Sequence, residues 1–452
     1  MINLYKELCC WQHPDFIAQE LTKYWGEDGL IWLDGDNSKL GRWVTLAIDP
    51  IEQVCCRGLP NNINGSNPFE ALRNLNPGHW TGWLSYEAGA WIEASTSWKS
   101  DDMATLWVAS HDPIFKFDLH KNELWLEGYD RNRIEKFSHW LKTISKQNYE
   151  EKNDRKILEN RSSIHIPLES WQWLTSIDDY SEKVANIKKL IEKGDLFQAN
   201  LATGCTTGIS QKASLINVYK KLKSYSPAPF GGLVIGAKDA KNEAIISVSP
   251  EQFLKVSASG EIETRPIKGT RPRHIDSQKD SELARDLLIS PKDRAENIMI
   301  VDLLRNDLGR VCTPGSINIP QLVGLESYAQ VHHLTSVIKG SLKPNKTWVD
   351  LLEASWPGGS ITGAPKIRAC QRLNELEPMP RGPYCGSLIN LHWNGCFNSN
   401  ILIRTVLIKN TTLKAYAGCG IVADSDPIKE AEEMNWKILP LLKALESHHE
   451  SK

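Results

Sequence analysis

ILIRTVLIKNTTLKAYAGCGIVADSDPIKEAEEMNWK, residues 401–437, decides the fold class. Its β-branched and apolar runs, Ile401–Ile408 and Leu413–Ala417, predict two strands. The glycines of Ala417–Gly420 (AGCG) predict a turn, which reads either as an anion nest of backbone amides or as a plain connection. Asp426 and Pro427 then supply a cap and a first residue for a helix. Strand, strand, turn, helix is a mixed run without βαβ alternation.

The same mixture extends upstream. Short β-branched and aromatic runs predict strands at Leu30–Asp34, Trp43–Ile48, Trp80–Tyr86, Ala104–Ser110, Pro113–Phe117 and Glu123–Gly128. A helix is expected over Asp179–Lys193, with Tyr180, Val184, Ile187, Leu190 and Ile191 on one side and Gly194 as its stop. Strands follow at Leu233–Ile235, Ala244–Val248, Phe253–Ser257 and Ile262–Pro266, then helices over Asp293–Leu308 and from near Pro365. The expectation is an α+β protein with large, mostly antiparallel sheets and helices outside. Thirteen of the 17 tryptophans precede residue 174, which sets an aromatic region, residues 1–150, apart from a glycine- and motif-rich region, residues 170–445. Lys142–Pro167 between them is polar and charged and reads as a surface connection.

Composition narrows the function. Lys+Arg 53 against Asp+Glu 55 leaves a net charge of −2, which disfavours capture of nucleic acid or an anionic membrane. No apolar run approaches the ~18 residues of a membrane span, and Met1–Phe16 lacks the basic start and apolar stretch of a secretory signal; a soluble, cytoplasmic protein is expected. The ten cysteines include no CxxC and no zinc spacing, so they read as reduced, packed thiols.

Three groups of residues could carry chemistry. Asp293 with Glu296, and Glu430 with Glu433, are pairs three apart on predicted helices, which puts like charges on one face. They are either solvated acidic faces or the hard-oxygen ligands of a divalent cation, with Lys437 a turn beyond Glu433. Thr264–Arg273 (TRPIKGTRPR) sets Lys268 among Arg265, Arg271 and Arg273, whose charges are expected to lower the lysine pKa toward nucleophilicity; an ordinary basic turn is the alternative. Trp356–Lys366 (WPGGSITGAPK) has the glycine interval of a phosphate loop but Ala364 and Pro365 where Lys and Ser/Thr are needed, so it reads as a close-packed turn around Thr362.

Taken together, GDLFQANL (194–201), SPEQF (249–253), TRPIKGTRPR, DRAENIMIVDLLRNDLGRV (293–311), VHHLTS (331–336), PGGSITGAPK, YCGS (384–387), IRT (403–405) and AGCGIVADSDPIKEAEEMNWK resemble, in order, the chorismate-utilising enzyme family. The first third, with GRW and WLSYEAG, is similar to that family's N-terminal region. The resemblance implies the chorismate-binding fold of anthranilate synthase component I. It also implies Mg2+ on Glu296 and Glu433, with Asp293 and Glu430 in support. The amides of Gly418 and Gly420, with Thr362 and Lys437, are implied partners of the ring carboxylate, and Tyr384 and Arg404 of the enolpyruvyl carboxylate. The resemblance further implies that Gly269 lies beside the substrate and His333 near the reacting ring, with Glu251 as the acid and Lys268 as the nucleophile.

Two positions separate the family's branches. Gln198 stands where water-adding members carry a basic lysine, and PIKGT stands where the anthranilate branch reads PIAGT; Leu33–Asp36 (LDGD) also departs from that branch's LLES. The resemblance is therefore closest to the aminodeoxychorismate synthase component I branch, which aminates chorismate at C4 on the way to 4-aminobenzoate and folate. Nothing in the sequence resembles the GxCxGHQ segment of a glutaminase, so a separate glutamine amidotransferase subunit is the implied ammonia source.

Overall fold

A computed structural model describes residues 4–94, 97–150, 164–328 and 331–447. Among them, two large antiparallel sheets pack together with helices outside. The first has 12 strands. Strands Tyr5–Cys9, Glu123–Gly128, Ile114–Asp118, Trp43–Ala47 and Ile31–Asp34 form one half, and Phe230–Ile235, Glu243–Ser249, Thr405–Lys409, Thr412–Ile421 and Gln198–Gly208 continue it. The second, of 10 strands, runs from Ile267–Pro272 through Val331–Ser341, Glu261–Thr264, Gln252–Val256, Phe397–Asn400 and Ser387–Leu391 to Trp80–Leu84, Leu106–Ser110 and Glu52–Cys56. Both sheets thus take strands from both regions of the chain.

Alternation along the strands explains this two-layer body. Trp32, Leu233, Ile246 and Val406 face the outer helices in one apolar cluster. Their neighbours Ile31, Val234, Ile245 and Leu407 face the second sheet in another, where Trp83 and Trp107 lie 5.0 Å apart. Because both faces of the first sheet are covered, its central strands read as continuous apolar runs rather than polar–apolar alternation.

Three local expectations change. Ile401–Ile408 is not one strand: Phe397–Asn400 belongs to the second sheet and Thr405–Lys409 to the first, and residues 401–404 carry the chain across, with Arg404 at φ 51°. The AGCG glycines do not form a turn but lie inside Thr412–Ile421, paired Gly418 to Ala202 and Gly420 to Asn200. The expected connection begins instead as a helix, Arg131–Glu150, because Ile134, Phe137, Leu141 and Ile144 recur at helical spacing and pack into the first cluster; residues 151–163 lie outside the described residues. No described helix is long and apolar enough to cross a membrane, and the ten cysteines are all free thiols.

Candidate active site

The acid and the arginine of the site sit where the chain changes sheets. Glu251 follows the strand Glu243–Ser249 of the first sheet and precedes Gln252–Val256 of the second. Its carbonyl accepts from the Ile401 amide (3.1 Å), and the Arg404 carbonyl accepts from the Val248 amide (3.1 Å), so the two crossings are stitched side by side. Tyr384 arrives on a third segment, tied by Cys385 N to Leu402 O (2.8 Å), and stacks on Tyr416 with ring centroids 5.1 Å apart.

Glu251 is 5% exposed. Burial pushes its carboxyl up to about 7, against hydrogen bonds from Ser360 and the Ile267 amide and the nearby charge of Lys268. Lys268 lies in the strand Ile267–Pro272 and donates to the Ser360 carbonyl (2.9 Å). Ser360 therefore meets both groups. The next residue, Gly269, has φ 78° and interrupts the pairing with Val331–Ser341. A side chain there would begin 2.9 Å from Leu287 Cδ1 and 3.0 Å from the Asp293 Cβ, so backbone and space both require glycine.

The lysine is lowered, but not by the arginines. Burial depresses it, opposed by Glu296 and Glu251 and aided by Lys437. Arg265 pairs with Glu326 (2.5 Å), Arg271 with Asp293 (3.1 Å) and Arg273 with Asp280 (2.9 Å), so each guanidinium is neutralised by a carboxylate outside its own segment.

His333 is buried, with Nδ1 2.9 Å from Thr270 Oγ1 and no partner for Nε2 among the described residues. Burial first, then Arg404, lowers it to about 3, so the ring is neutral with one nitrogen free for a ligand. Arg404 has no ion pair among the described residues, and burial lowers it too; a planar fork held without a carboxylate suits an incoming one. Its left-handed backbone concentrates strain at this crossing.

The carboxylates come from the two helices expected to carry them. Ser290 and Pro291 start Pro291–Gly309, and Asp426 caps Pro427–Glu446 by accepting from the Ile428 and Lys429 amides (both 3.0 Å). Oxygens of Glu430 and Glu433 and the Cys419 sulfur lie within 4.8 Å of one another. Glu296 flanks Gly420, where a side chain would begin 3.6 Å from its Oε2. Burial raises Glu296, while Glu433, despite its own burial cost, is held low by Lys437 at 2.8 Å. Burial pushes the Cys419 thiol up to about 12, leaving the set a hard, oxygen-donor one that suits Mg2+.

The remaining residues line the same strands. Lys437 also donates to the Gly418 carbonyl (3.1 Å). Any side chain at Gly418 or Gly420 would strike the Leu201 carbonyl or the Gln198 amide. Gln198 itself is buried with Oε1 unpartnered among the described residues. Thr362 is fully buried, its hydroxyl donating to the Gly358 carbonyl (2.9 Å) and its carbonyl accepting from the Asn200 amide (2.7 Å). Sequence reading missed Ser360, Thr270 and Lys292. Ser360 was visible within WPGGSITGAPK as its only serine, but its two contacts come from residues about a hundred positions away.

The chain is also similar to known proteins. A profile of the chorismate binding enzyme family matches residues 24–443. An anthranilate synthase component I-like protein of Synechocystis is 38% identical over 403 residues, 88% of this chain and 78% of that one. Aminodeoxychorismate synthase component 1 of Bacillus subtilis is 34% identical over 82% of this chain and 77% of its own length. That of Escherichia coli is 42% identical over 61% of this chain, a match that spans 59% of its length. The crystal structure of anthranilate synthase component I from Streptococcus pneumoniae superposes with a TM-score of 0.75 at 27% identity, covering 90% of this chain and 93% of that one.

Proposed function

Because the chain belongs to the chorismate-binding enzyme family, we propose that it is the chorismate-aminating component of an aminodeoxychorismate synthase, forming 4-amino-4-deoxychorismate for 4-aminobenzoate and folate synthesis. The observation that carries this reading is the pairing of half-buried Lys268 with buried Glu251, both of which meet Ser360. A carboxyl raised to about 7 is half protonated at neutrality, and a lysine depressed by burial is a better nucleophile than a surface one.

The residues divide the work as follows. Lys268 Nζ bonds to C2, the C1=C2 and C5=C6 double bonds shift to C1=C6 and C4=C5, and the C4–O bond breaks as the hydroxyl takes the Glu251 proton and leaves as water. Ammonia then bonds to C4, the double bonds return to C1=C2 and C5=C6, the C2–N bond to Lys268 breaks, and the new ammonium gives a proton back to the Glu251 carboxylate. Arg404 and Tyr384 hold one carboxylate of the substrate; Lys437, Thr362 and the Gly418 and Gly420 backbone hold the other. Glu296 and Glu433, supported by Asp293 and Glu430, would hold Mg2+, which when bound neutralises and orients the ring carboxylate. Gln198 is an amide, not a base, so it does not activate water for addition.

Ammonia is supplied by a glutamine amidotransferase subunit; the designation of the bacterial relatives as component 1 supports a partner component. The similarity to the Synechocystis anthranilate synthase-like protein favours one other reading, amination at C2 with loss of pyruvate. Mass spectrometry of products from chorismate, Mg2+ and ammonium decides between them: aminodeoxychorismate is expected, and anthranilate with pyruvate as the main products overturns the assignment.

A further inference from the structure

The four carboxylates proposed to hold the cation are not left bare; each but one has a basic partner. Asp293 is bonded by Arg271 (3.1 Å), Glu433 by Lys437 (2.8 Å) and Glu430 by Lys292 (3.4 Å), whereas Glu296 makes no ion pair among the described residues. Two of these partners are fixed by other bonds: Arg271 also donates to the Thr270 carbonyl, and Lys437 to the Gly418 carbonyl. Lys292 is different. It stands in the first turn of Pro291–Gly309 with its side chain 48% exposed, and its only hydrogen bond among the described residues goes to Glu430, which is 5% exposed and also accepts from Ser425 (2.7 Å). Its charge reaches Glu430, Glu296 and Glu433 together.

A buried carboxylate without a counter-charge is costly, and a lone half-exposed ammonium can withdraw to water at little cost. We infer that Lys292 is an internal counter-ion that balances the Glu296–Glu430–Glu433 cluster in the ion-free protein and is displaced from Glu430 when a divalent cation enters, so that lysine and ion compete for the same carboxylates. This rests on the Mg2+ reading given above. It assigns a role to a residue outside the ligand set: Lys292 keeps the helix ends together without the ion and sets how tightly the ion is held.

The test is calorimetric titration of Mg2+ alone into chelator-stripped protein without chorismate, for the wild type, Lys292→Met and Lys292→Gln. Loss of a unit charge a few ångströms from a divalent ion is expected to tighten binding by about ten-fold or more. Thermal melting of the same proteins is expected to show both variants below wild type without Mg2+ and gaining more from it. A purely structural ion pair would lower the ion-free melting temperature and leave the Mg2+ dissociation constant unchanged. Equal or weaker Mg2+ binding by both variants, with wild type binding normally, overturns the competition and spares the metal reading; absence of saturable Mg2+ binding by wild type overturns both.

Discussion

Replacing Glu251 with glutamine is expected to abolish turnover and yet stabilise the protein above neutral pH. The carboxyl stands at about 7 against an ordinary 4.5, because burial disfavours its charge. A folded-state value raised in this way means that the native chain binds more protons than the unfolded one between those two pH values. Its contribution is therefore fully present below 4.5 and is lost as pH rises through 7. At 1.36 kcal/mol per pH unit the whole loss is about 3 kcal/mol, and about 2.5 kcal/mol of it falls between pH 5 and pH 8. Glutamine keeps the shape and never ionises, so urea unfolding should show Glu251→Gln gaining about that much on the wild type between the two pH values. In parallel, wild-type kcat/KM for chorismate, at constant free ammonia, should fall about ten-fold per unit above pH 7 as the acid loses its proton. A variant with more than a tenth of wild-type activity, or one whose stability tracks the wild type at both pH values, would refute Glu251 as a buried acid.

Further outcomes follow from the same geometry. Lys268→Ala should lose aminodeoxychorismate formation by about 10³-fold or more, with any residual amination of chorismate at C2; unchanged product by mass spectrometry would reduce Lys268 to a structural residue. Glu296→Gln and Glu433→Gln should each lower activity by more than about 100-fold, and Glu430→Gln by about ten-fold, as expected of ligands against a supporting group; near-normal rates at low Mg2+ for either of the first two would remove it from the ligand set. Gly269→Ala should cost about 2–4 kcal/mol in urea unfolding, combining a left-handed backbone with overlap at Leu287 and Asp293, and should slow turnover as the neighbouring Lys268 moves; a wild-type midpoint and rate would contradict the role of the bulge.

The parts legible in the sequence are those whose signals are local. The helix expected from Asp426–Pro427 begins there, the one expected from Asp293 begins two residues earlier at Pro291, and Glu430 and Glu433 are brought together near Cys419. Three errors have one cause: their deciding partners lie outside the segments themselves. The arginines beside Lys268 looked like a positive field because Glu326, Asp293 and Asp280 cannot be assigned to them without the fold. Ile401–Ile408 looked like one strand because both sheets bury both sides of that run, so the apolar pattern does not register the crossing at Arg404. Gly418 and Gly420 looked like a turn because glycine usually marks one. Here it marks a strand whose backbone must lie against Leu201 and Gln198 without side chains.

That crossing also accounts for the rigidity of the site. Glu251, Arg404 and Tyr384 lie on short connections, the kind of segment that ordinarily moves. Each of these segments, however, is bonded to another: Glu251 O to Ile401 N, Cys385 N to Leu402 O, and Leu402 N to Gly386 O, all at 2.8–3.1 Å. Their flanking strands belong to two sheets already fixed by a shared core. An acid, a carboxylate-binding fork and a phenol are thereby held by the packing of the two sheets rather than by the connections themselves. Lys268 reaches the same place from the far edge of the second sheet, where the bulge at Gly269 turns the chain against Asp293 and the lysine bonds the Ser360 carbonyl. Chemistry that needs the acid and the amine at one ring depends on the fixed spacing of these bonded segments, which a free loop alone could not hold.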